Sequence, residues 1–315
     1  MDAETNKPVL VTGASGFIGH AVLNLLQREG YSVLALDQTP SVSTAASFKA
    51  GHGILADIAD TEKLQEIFQA GEIAGVVHLA AILPTAAQRE PERATRVNIF
   101  GSLNLLDMAR QSGVRRFVFG SSLSAYGSHP PDEVVSEDSR SAPEDLYGAS
   151  KLYVEQLGAA YRERFGMEFV SLRIGRVVGE GARSATSAWR SQIFEFLNAN
   201  DASEITVPYV DSERLLLVHV DDVARALAAL LKATKLAHTV YNAPCESVVV
   251  GDLKREIEGL NSNIKVRVGE ASSTGNPRLV DDSRFRREFG FEMTPIMARL
   301  RAYRFGIIGH ESWSS

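Results

Sequence analysis

Apolar runs of four to seven residues alternate with amphipathic stretches through the first half of the chain. The opening run, Pro8-Val9-Leu10-Val11-Thr12, leads directly into three glycines and then into helical periodicity. A second run, Tyr31-Ser32-Val33-Leu34-Ala35-Leu36-Asp37, ends in an acid. A strand is predicted near 53–56, followed by Asp57 and Ile58, and then a helix from near Thr61 with Glu62 in its first turn. Val76-Val77-His78-Leu79-Ala80-Ala81 reads as the next buried strand, 91–112 as a long helix carrying Asn98, and Arg116 to Ser122 as another strand. A helix holding Tyr147 and Lys151 continues through Arg164, and a sixth strand covers 168–173. This rhythm predicts an α/β fold with a doubly wound parallel sheet between two helical layers. Beyond it the pattern loosens: 179–187 is rich in Gly, Ser and Ala, and a helix is predicted over about 189–198. Two short strands follow, then a helix at Val220 whose early Asp221 and Asp222 suit the dipole, then short mixed elements.

The glycines are spaced Gly13-x-x-Gly16-x-x-Gly19, with Phe17 and Ile18 between the last two. At a strand-to-helix turn, Gly13 permits the tight bend, Gly16 lets backbone N–H groups approach a pyrophosphate, and Gly19 lets helix and strand sit close. The anion would rest on the helix N-terminus. Asp37 lies roughly 20 residues further on, where a carboxylate hydrogen-bonds ribose hydroxyls. It would repel a 2′-phosphate, and neither Gln38 nor Thr39 offers an arginine to reverse this, so NAD is expected over NADP. Ligands in such sheets bind at the carboxyl ends of the strands, and Gly13, Asp37, Ala80, Ser122 and Ile174 all fall there. Tyr147 and Lys151 are one helical turn apart and share a face. A phenol titrates near ~10, and a neighbouring cation favours the phenolate, which makes the pair a candidate acid/base centre.

Composition narrows the partners. The 315 residues are 44% hydrophobic with net charge −6, ordinary for a globular protein and unfavourable for binding nucleic acid. The single cysteine, Cys245, cannot form an internal disulfide and fits a reducing compartment. The first residues lack the apolar core of a signal peptide and no apolar run reaches membrane-spanning length, so a cytoplasmic protein with no membrane partner is expected. Seven scattered histidines show no metal-ligand spacing, and no metal is expected; His78 and His219 read as satisfied structural residues.

Several motifs in order resemble the extended short-chain dehydrogenase/reductase family, which contains NAD-dependent sugar epimerases and dehydratases. They are Thr12-Gly13-Ala14-Ser15-Gly16-Phe17-Ile18-Gly19, His78-Leu79-Ala80-Ala81, Val97-Asn98-Ile99-Phe100-Gly101-Ser102, Ser121-Ser122 before Ala125-Tyr126-Gly127, Tyr147-x-x-x-Lys151, and His219-Val220-Asp221-Asp222-Val223-Ala224. The resemblance implies a Rossmann-like NAD-binding domain over 1–175, with returning segments near 205–242, and a smaller C-terminal substrate-binding lobe formed mainly by 176–315. It implies that Tyr147 is the general acid/base, that Lys151 holds the nicotinamide ribose and depresses the tyrosine pKa, and that Ser122 hydrogen-bonds the reacting oxygen, with Ser121 and Ser124 as alternatives. The cofactor wall it implies comprises the glycine turn with Phe17 and Ile18, then Asp37, Asp57 and Ile58, Leu79 to Ala81, Asn98, and Ile174. A homodimer packed through the helices at 91–112 and 146–165 is expected, with Leu152 and Leu157 as candidates for its seam.

Departures from the family pattern are equally informative. Where similar dehydratases carry an Asp-Glu pair after the catalytic hydroxyl residue, this chain has Leu123 and Ser124, so dehydration is not expected. Leu172-Arg173-Ile174-Gly175-Arg176 places Arg176 where nucleotide-sugar enzymes have an asparagine, and Leu215-Leu216-Leu217 replaces their Arg-Asp-Phe, with Arg214 one place early. Arg176, Arg183, Trp189 and Arg190 crowd the pocket-forming segment; guanidinium forks suit carboxylates and phosphates, and an indole suits a sugar face. Ser122, Ser124, Arg176, Arg183 and Trp189 are therefore candidate substrate residues. The expected activity is NAD-dependent oxidation of a secondary alcohol on a carbohydrate or sugar-acid-like substrate, with UDP-sugar 4-epimerisation as the alternative. A non-catalytic NAD-sensing regulator would be expected to lose the tyrosine or lysine, and both are present.

Overall fold

The computed structural model describes residues 7–40, 52–181 and 187–307. Fourteen strands occur among them: β1 Val9–Thr12, β2 Val33–Asp37, β3 Gly53–Leu55, β4 Gly75–His78, β5 Arg116–Ser122, β6 Val134–Val135, β7 Glu168–Ile174, β8 Arg176–Val178, β9 Ser203–Tyr209, β10 Arg214–His219, β11 Val240–Asn242, β12 Glu246–Val249, β13 Ile264–Ala271 and β14 Leu279–Val280. Seven form one sheet in the order β11-β7-β5-β4-β1-β2-β3, with every pair parallel. The chain winds from β1 outward through β2 to β3, then crosses to β4 and winds the other way. The reversal beside β1 is the switch point at which such sheets open a crevice.

Both faces of this sheet are buried, as parallel strands require. Alternation along β1 sends Val9 and Val11 to one face and Leu10 to the other. The first face packs on helices Phe17–Arg28 and Val220–Lys232 through Val22, Leu26, Val223 and Leu227. The opposite face packs Phe117, Phe119 and Phe169 with Leu64, Leu105, Leu106 and Val154. Leu157, a candidate for a dimer seam, packs against this face of the large sheet.

The predicted 91–112 helix is present but contains a π-helical turn, Arg96–Gly101, between Pro91–Thr95 and Ser102–Gln111. The run predicted as a strand through Ala81 leaves the sheet after His78, which frees Leu79 to Ala81 for the cleft wall. Asp145 starts the helix Leu146–Phe165 by accepting the Gly148 N–H at 2.6 Å, and Gly166 ends it at φ 72°.

A second core lies under the C-terminal elements. Ile205 and Val207 point inward from β9 while Glu204 and Thr206 face out, and they meet Ile193, Phe194, Leu215, Leu217, Val248 and Ile296. β8, β10 and β12 form one small sheet, and β9 pairs with β13. Of the segment 205–242, β9 and β10 belong to these small sheets, whereas helix Val220–Lys232 and β11 pack with the large one. The helix after the loosened segment spans Trp189–Glu195, shorter than predicted. Among the described residues no helix is long and apolar enough to cross a membrane, and no group of three His, Cys, Asp or Glu could hold a metal.

Candidate functional site

A cleft of about 1220 Å³ opens at the carboxyl ends of the parallel strands, between the large sheet and the C-terminal elements. Its floor begins at the glycine turn. Gly13 has φ 68°, and a Cβ there would lie 2.7 Å from the Ala80 nitrogen, so both conformation and space demand glycine. A Cβ on Gly19 would overlap the Gly13 carbonyl oxygen. Gly16 is the N-cap of helix Phe17–Arg28, with no side-chain cap and no acid in the first turn, which leaves that helix end suited to an anion. Asp37 ties the turn to β2: its carboxylate accepts the Ser15 N–H at 2.9 Å and the Thr39 N–H at 3.3 Å. This cradle has the shape and the hydrogen-bonding groups for a dinucleotide. Asp37→Ala is expected to raise the KM for NAD by about 10-fold and to narrow the preference for NAD over NADP. The ratio of kcat/KM for the two cofactors measures it, and an unchanged ratio would remove Asp37 from ribose recognition.

The wall is braced by a directed chain of buried hydrogen bonds. The Ser102 hydroxyl donates to the Asn98 carbonyl at 2.7 Å, so His78 Nε2 donates to Ser102 at 2.9 Å, and Thr12 donates to His78 Nδ1 at 2.7 Å. Burial, aided by Lys151, pushes His78 down to about 3, consistent with a neutral structural imidazole. Thr12 Oγ1 in turn lies 3.3 Å from the Leu79 and Ala80 N–H groups, fixing that stretch of wall.

Phe17, Ile18, Ile58, Leu79, Ala80, Ala81 and Ile174 line the cleft together with the three glycines, Asp37, Tyr147 and Lys151. Two expected cofactor residues, Asn98 and Asp57, are not among the residues that line the cleft. Asn98 clamps Ile82, accepting its N–H at 2.7 Å and donating to its carbonyl at 3.0 Å. Asp57 turns away to accept the Ala59 N–H and to pair with Arg96 at 3.5 Å. Of the expected substrate residues, Ser122, Ser124 and Arg176 line the cleft, and Arg183 lies outside the described residues. Trp189 does not line it: its side chain is 3% exposed and packed in the second core. The next residue on the helix, Arg190, faces the cleft in its place.

Tyr147 and Lys151 sit at the centre. Lys151 Nζ donates to the Gly120 carbonyl at 2.7 Å and lies 4.6 Å from the centroid of Phe119 and 5.4 Å from that of Tyr147. The one-turn spacing predicts that Lys151 draws the phenol toward neutrality, whereas the folded cleft does the opposite. Tyr147 is held up at about 12 by burial and then by Asp145, with Ser122 and Arg190 acting in the other direction. The ammonium is committed to a carbonyl and two ring faces. Burial likewise pushes Lys151 down to about 7, opposed by Glu155 one turn along the helix. Glu155 is fixed by Arg173, whose Nη2 donates at 2.6 Å, and by the Ser121 hydroxyl.

A pH dependence follows. The unfolded chain holds the Lys151 proton up to its ordinary value of 10.5, whereas the folded chain releases it near 7. Between these values the unfolded state binds more protons, so this residue's contribution to stability rises with pH and is lost as pH falls to 7. Lys151→Met should flatten that part of the slope of denaturation midpoint against pH. A slope unchanged by the substitution would contradict the depressed lysine.

The rest of the cleft comes from residues the motifs did not indicate. The Ser122 hydroxyl donates to Ser124 at 3.1 Å, and Ser124 donates to Asn276 Oδ1 at 3.4 Å, from the loop between β13 and β14. Thr274 and Asn276 line the cleft with Tyr209 of β9. Nothing in their local sequence marks them.

Comparison with known proteins places the chain in a family. Residues 9–243 match the NAD dependent epimerase/dehydratase family. The chain is 27% identical to the mitochondrial L-threonine 3-dehydrogenase of Sus scrofa, over 92% of this chain and 80% of that protein. It is 30% identical to a dTDP-4-dehydro-6-deoxy-D-allose reductase of Streptomyces sp, over 95% of each. The solved L-threonine 3-dehydrogenase of Trypanosoma brucei shares the fold, with a TM-score of 0.82 and 24% identity, covering 95% of this chain and 96% of that one. With its doubly wound parallel sheet and dinucleotide cradle, the chain belongs to the NAD-dependent epimerase/dehydratase family. It is an NAD-dependent oxidoreductase of the extended short-chain dehydrogenase/reductase type.

Proposed function

We propose that this enzyme oxidises a secondary alcohol on a small carbohydrate or sugar-acid-like substrate, with Tyr147 as the acid/base. The observation that carries this reading is the convergence of Tyr147, Lys151 and Ser122 on the same cleft as the glycine turn and Asp37. NAD, when bound, supplies the hydride acceptor. As the phenolate, Tyr147 takes the proton of the substrate hydroxyl while the carbon bearing it loses hydride, so that the C–O bond becomes a carbonyl. Ser122 donates to the reacting oxygen in place of its bond to Ser124, while the Ser124 backbone N–H holds its oxygen at 3.1 Å. Lys151 holds the nicotinamide ribose, and its charge favours the phenolate over the phenol. Leu123 is buried and Ser124 carries no titratable group, so the two positions after Ser122 supply no acid/base for an elimination.

The test is NADH formation by the purified enzyme with NAD and a panel of sugar acids, polyols and UDP-sugars. Net NADH with a free sugar acid is the expected result. UDP-sugar interconversion without net NADH would replace this reading with 4-epimerisation. We further propose a homodimer through the helices at 91–111 and 146–165, supported by the exposed Phe100 and Tyr153 on them. The lone thiol of Cys245 supports residence in a reducing compartment such as the cytoplasm.

A further inference from the structure

Two guanidinium groups face the cleft that Tyr147 lines: Arg176 on β8 and Arg190 in the first turn of helix Trp189–Glu195. Among the described residues neither meets a carboxylate. Arg176 donates to the Ser273 hydroxyl and lies 5.6 Å from the centroid of the Tyr209 ring, while Arg190 Nε is buried with no hydrogen-bond partner. Each of the four acids of the lining has another partner: Asp37 accepts from the Ser15 and Thr39 N–H groups, Asp145 from the Gly148 N–H, Glu180 from the Tyr303 hydroxyl and Glu195 from the Gly181 N–H at 3.3 Å. Burial and the charge of Arg176 push Arg190 down to about 10. Two like charges held together in a partly desolvated wall are stabilised by a shared anion.

We propose that Arg176 and Arg190 clamp a substrate carboxylate borne within a few carbons of the alcohol that Tyr147 deprotonates. The substrate class is then a small polyhydroxy acid, not a nucleotide sugar; this inference rests on the oxidation reading above. Position favours it, because Arg190 and Tyr147 are close enough to act on each other electrostatically, which puts the anion beside the reacting carbon. A planar carboxylate matches a guanidinium fork with two parallel hydrogen bonds. Among the described residues, the further cationic side chains of the lining are Lys151 and Arg89, which pairs with Glu90 at 3.4 Å, whereas Arg214 is exposed and outside the lining and Leu215 to Leu217 are buried.

The experiment measures binding to the enzyme saturated with NADH, by calorimetry, for four- to six-carbon aldonates and uronates, for the matched neutral alditols, and for UDP and UDP-glucose. Arg190→Met fills the same space without the charge, and Arg190→Lys keeps the charge without the fork. At least one sugar acid is expected to bind wild type, to lose roughly 100-fold in affinity in Arg190→Met and less in Arg190→Lys, while alditol binding stays unchanged. Sugar acids that bind wild type and Arg190→Met equally, or that bind neither, overturn the clamp. So does loss of UDP or UDP-glucose binding in Arg190→Met, which would assign the arginines to phosphate. Failure of the oxidation reading is separable: acids would bind in an Arg190-dependent way, yet wild type with NAD would form no NADH. Equal oxidation of alditols and acids by both enzymes would overturn the clamp while leaving oxidation intact.

Discussion

Tyr147→Phe is expected to lower kcat by about 10³-fold while leaving the affinity for NAD within about twofold of wild type, given the usual worth of a positioned acid/base. The substitution removes one oxygen from a ring that lines the cleft, and it leaves Lys151 on the Gly120 carbonyl and the Phe119 face. Cofactor contacts are therefore preserved while the proton acceptor is lost. Single-turnover NADH formation and NAD calorimetry on the same preparation decide it. Activity within tenfold of wild type would remove Tyr147 from the proton-transfer step. Loss of NAD binding in step with activity would make its role structural.

The second large effect is expected at Gly19, where alanine should abolish measurable NAD binding and lower thermal stability. A Cβ at this position would overlap the Gly13 carbonyl oxygen, and the atoms in the way are backbone that cannot swing aside. Either helix Phe17–Arg28 backs away from β1 or the turn opens. Both movements withdraw the first-turn N–H groups from the place a pyrophosphate would occupy. The helix also contributes Val22, Leu23 and Leu26 to the core of the large sheet, so its displacement opens packing defects there. Thermal unfolding with and without NAD reads both consequences. A Gly19→Ala protein with wild-type melting and wild-type stabilisation by NAD would show that the cradle is not where the cofactor sits.

Much of this architecture is legible in short stretches of chain because the signals are local. The β1 run, the glycine spacing and the acid ending β2 are each governed by backbone conformation within a few residues, and the structure brings Gly13 and Asp37 to one edge as the alternation predicts. Tyr147 and Lys151 share a face because helical geometry fixes it. What local pattern does not determine is which side of a wall a residue occupies. Asp57 and Asn98 lie within one residue of cleft-lining positions, Ile58 and Val97, yet both spend their polar groups on bracing the backbone. Trp189 and Arg190 differ by one helical step of about 100°, and that rotation sends the indole to the second core and the guanidinium to the cleft.

By itself, then, the sequence determined the doubly wound sheet, the NAD cradle and the Tyr147/Lys151 pair, since each depends on short-range periodicity and on glycines without which the turn cannot close. Only the tertiary structure decided how the pocket beyond the catalytic pair is lined. Asn276 reaches Ser124 across 152 positions of chain, and Arg176 meets Ser273 across 97. Such encounters depend on how the small sheets pack against the large one, and no spacing within a single element encodes them. The balance of charge follows the same rule. A lysine beside a tyrosine reads as a phenolate in the making, whereas the burial that raises one pKa and lowers the other belongs to the folded cleft.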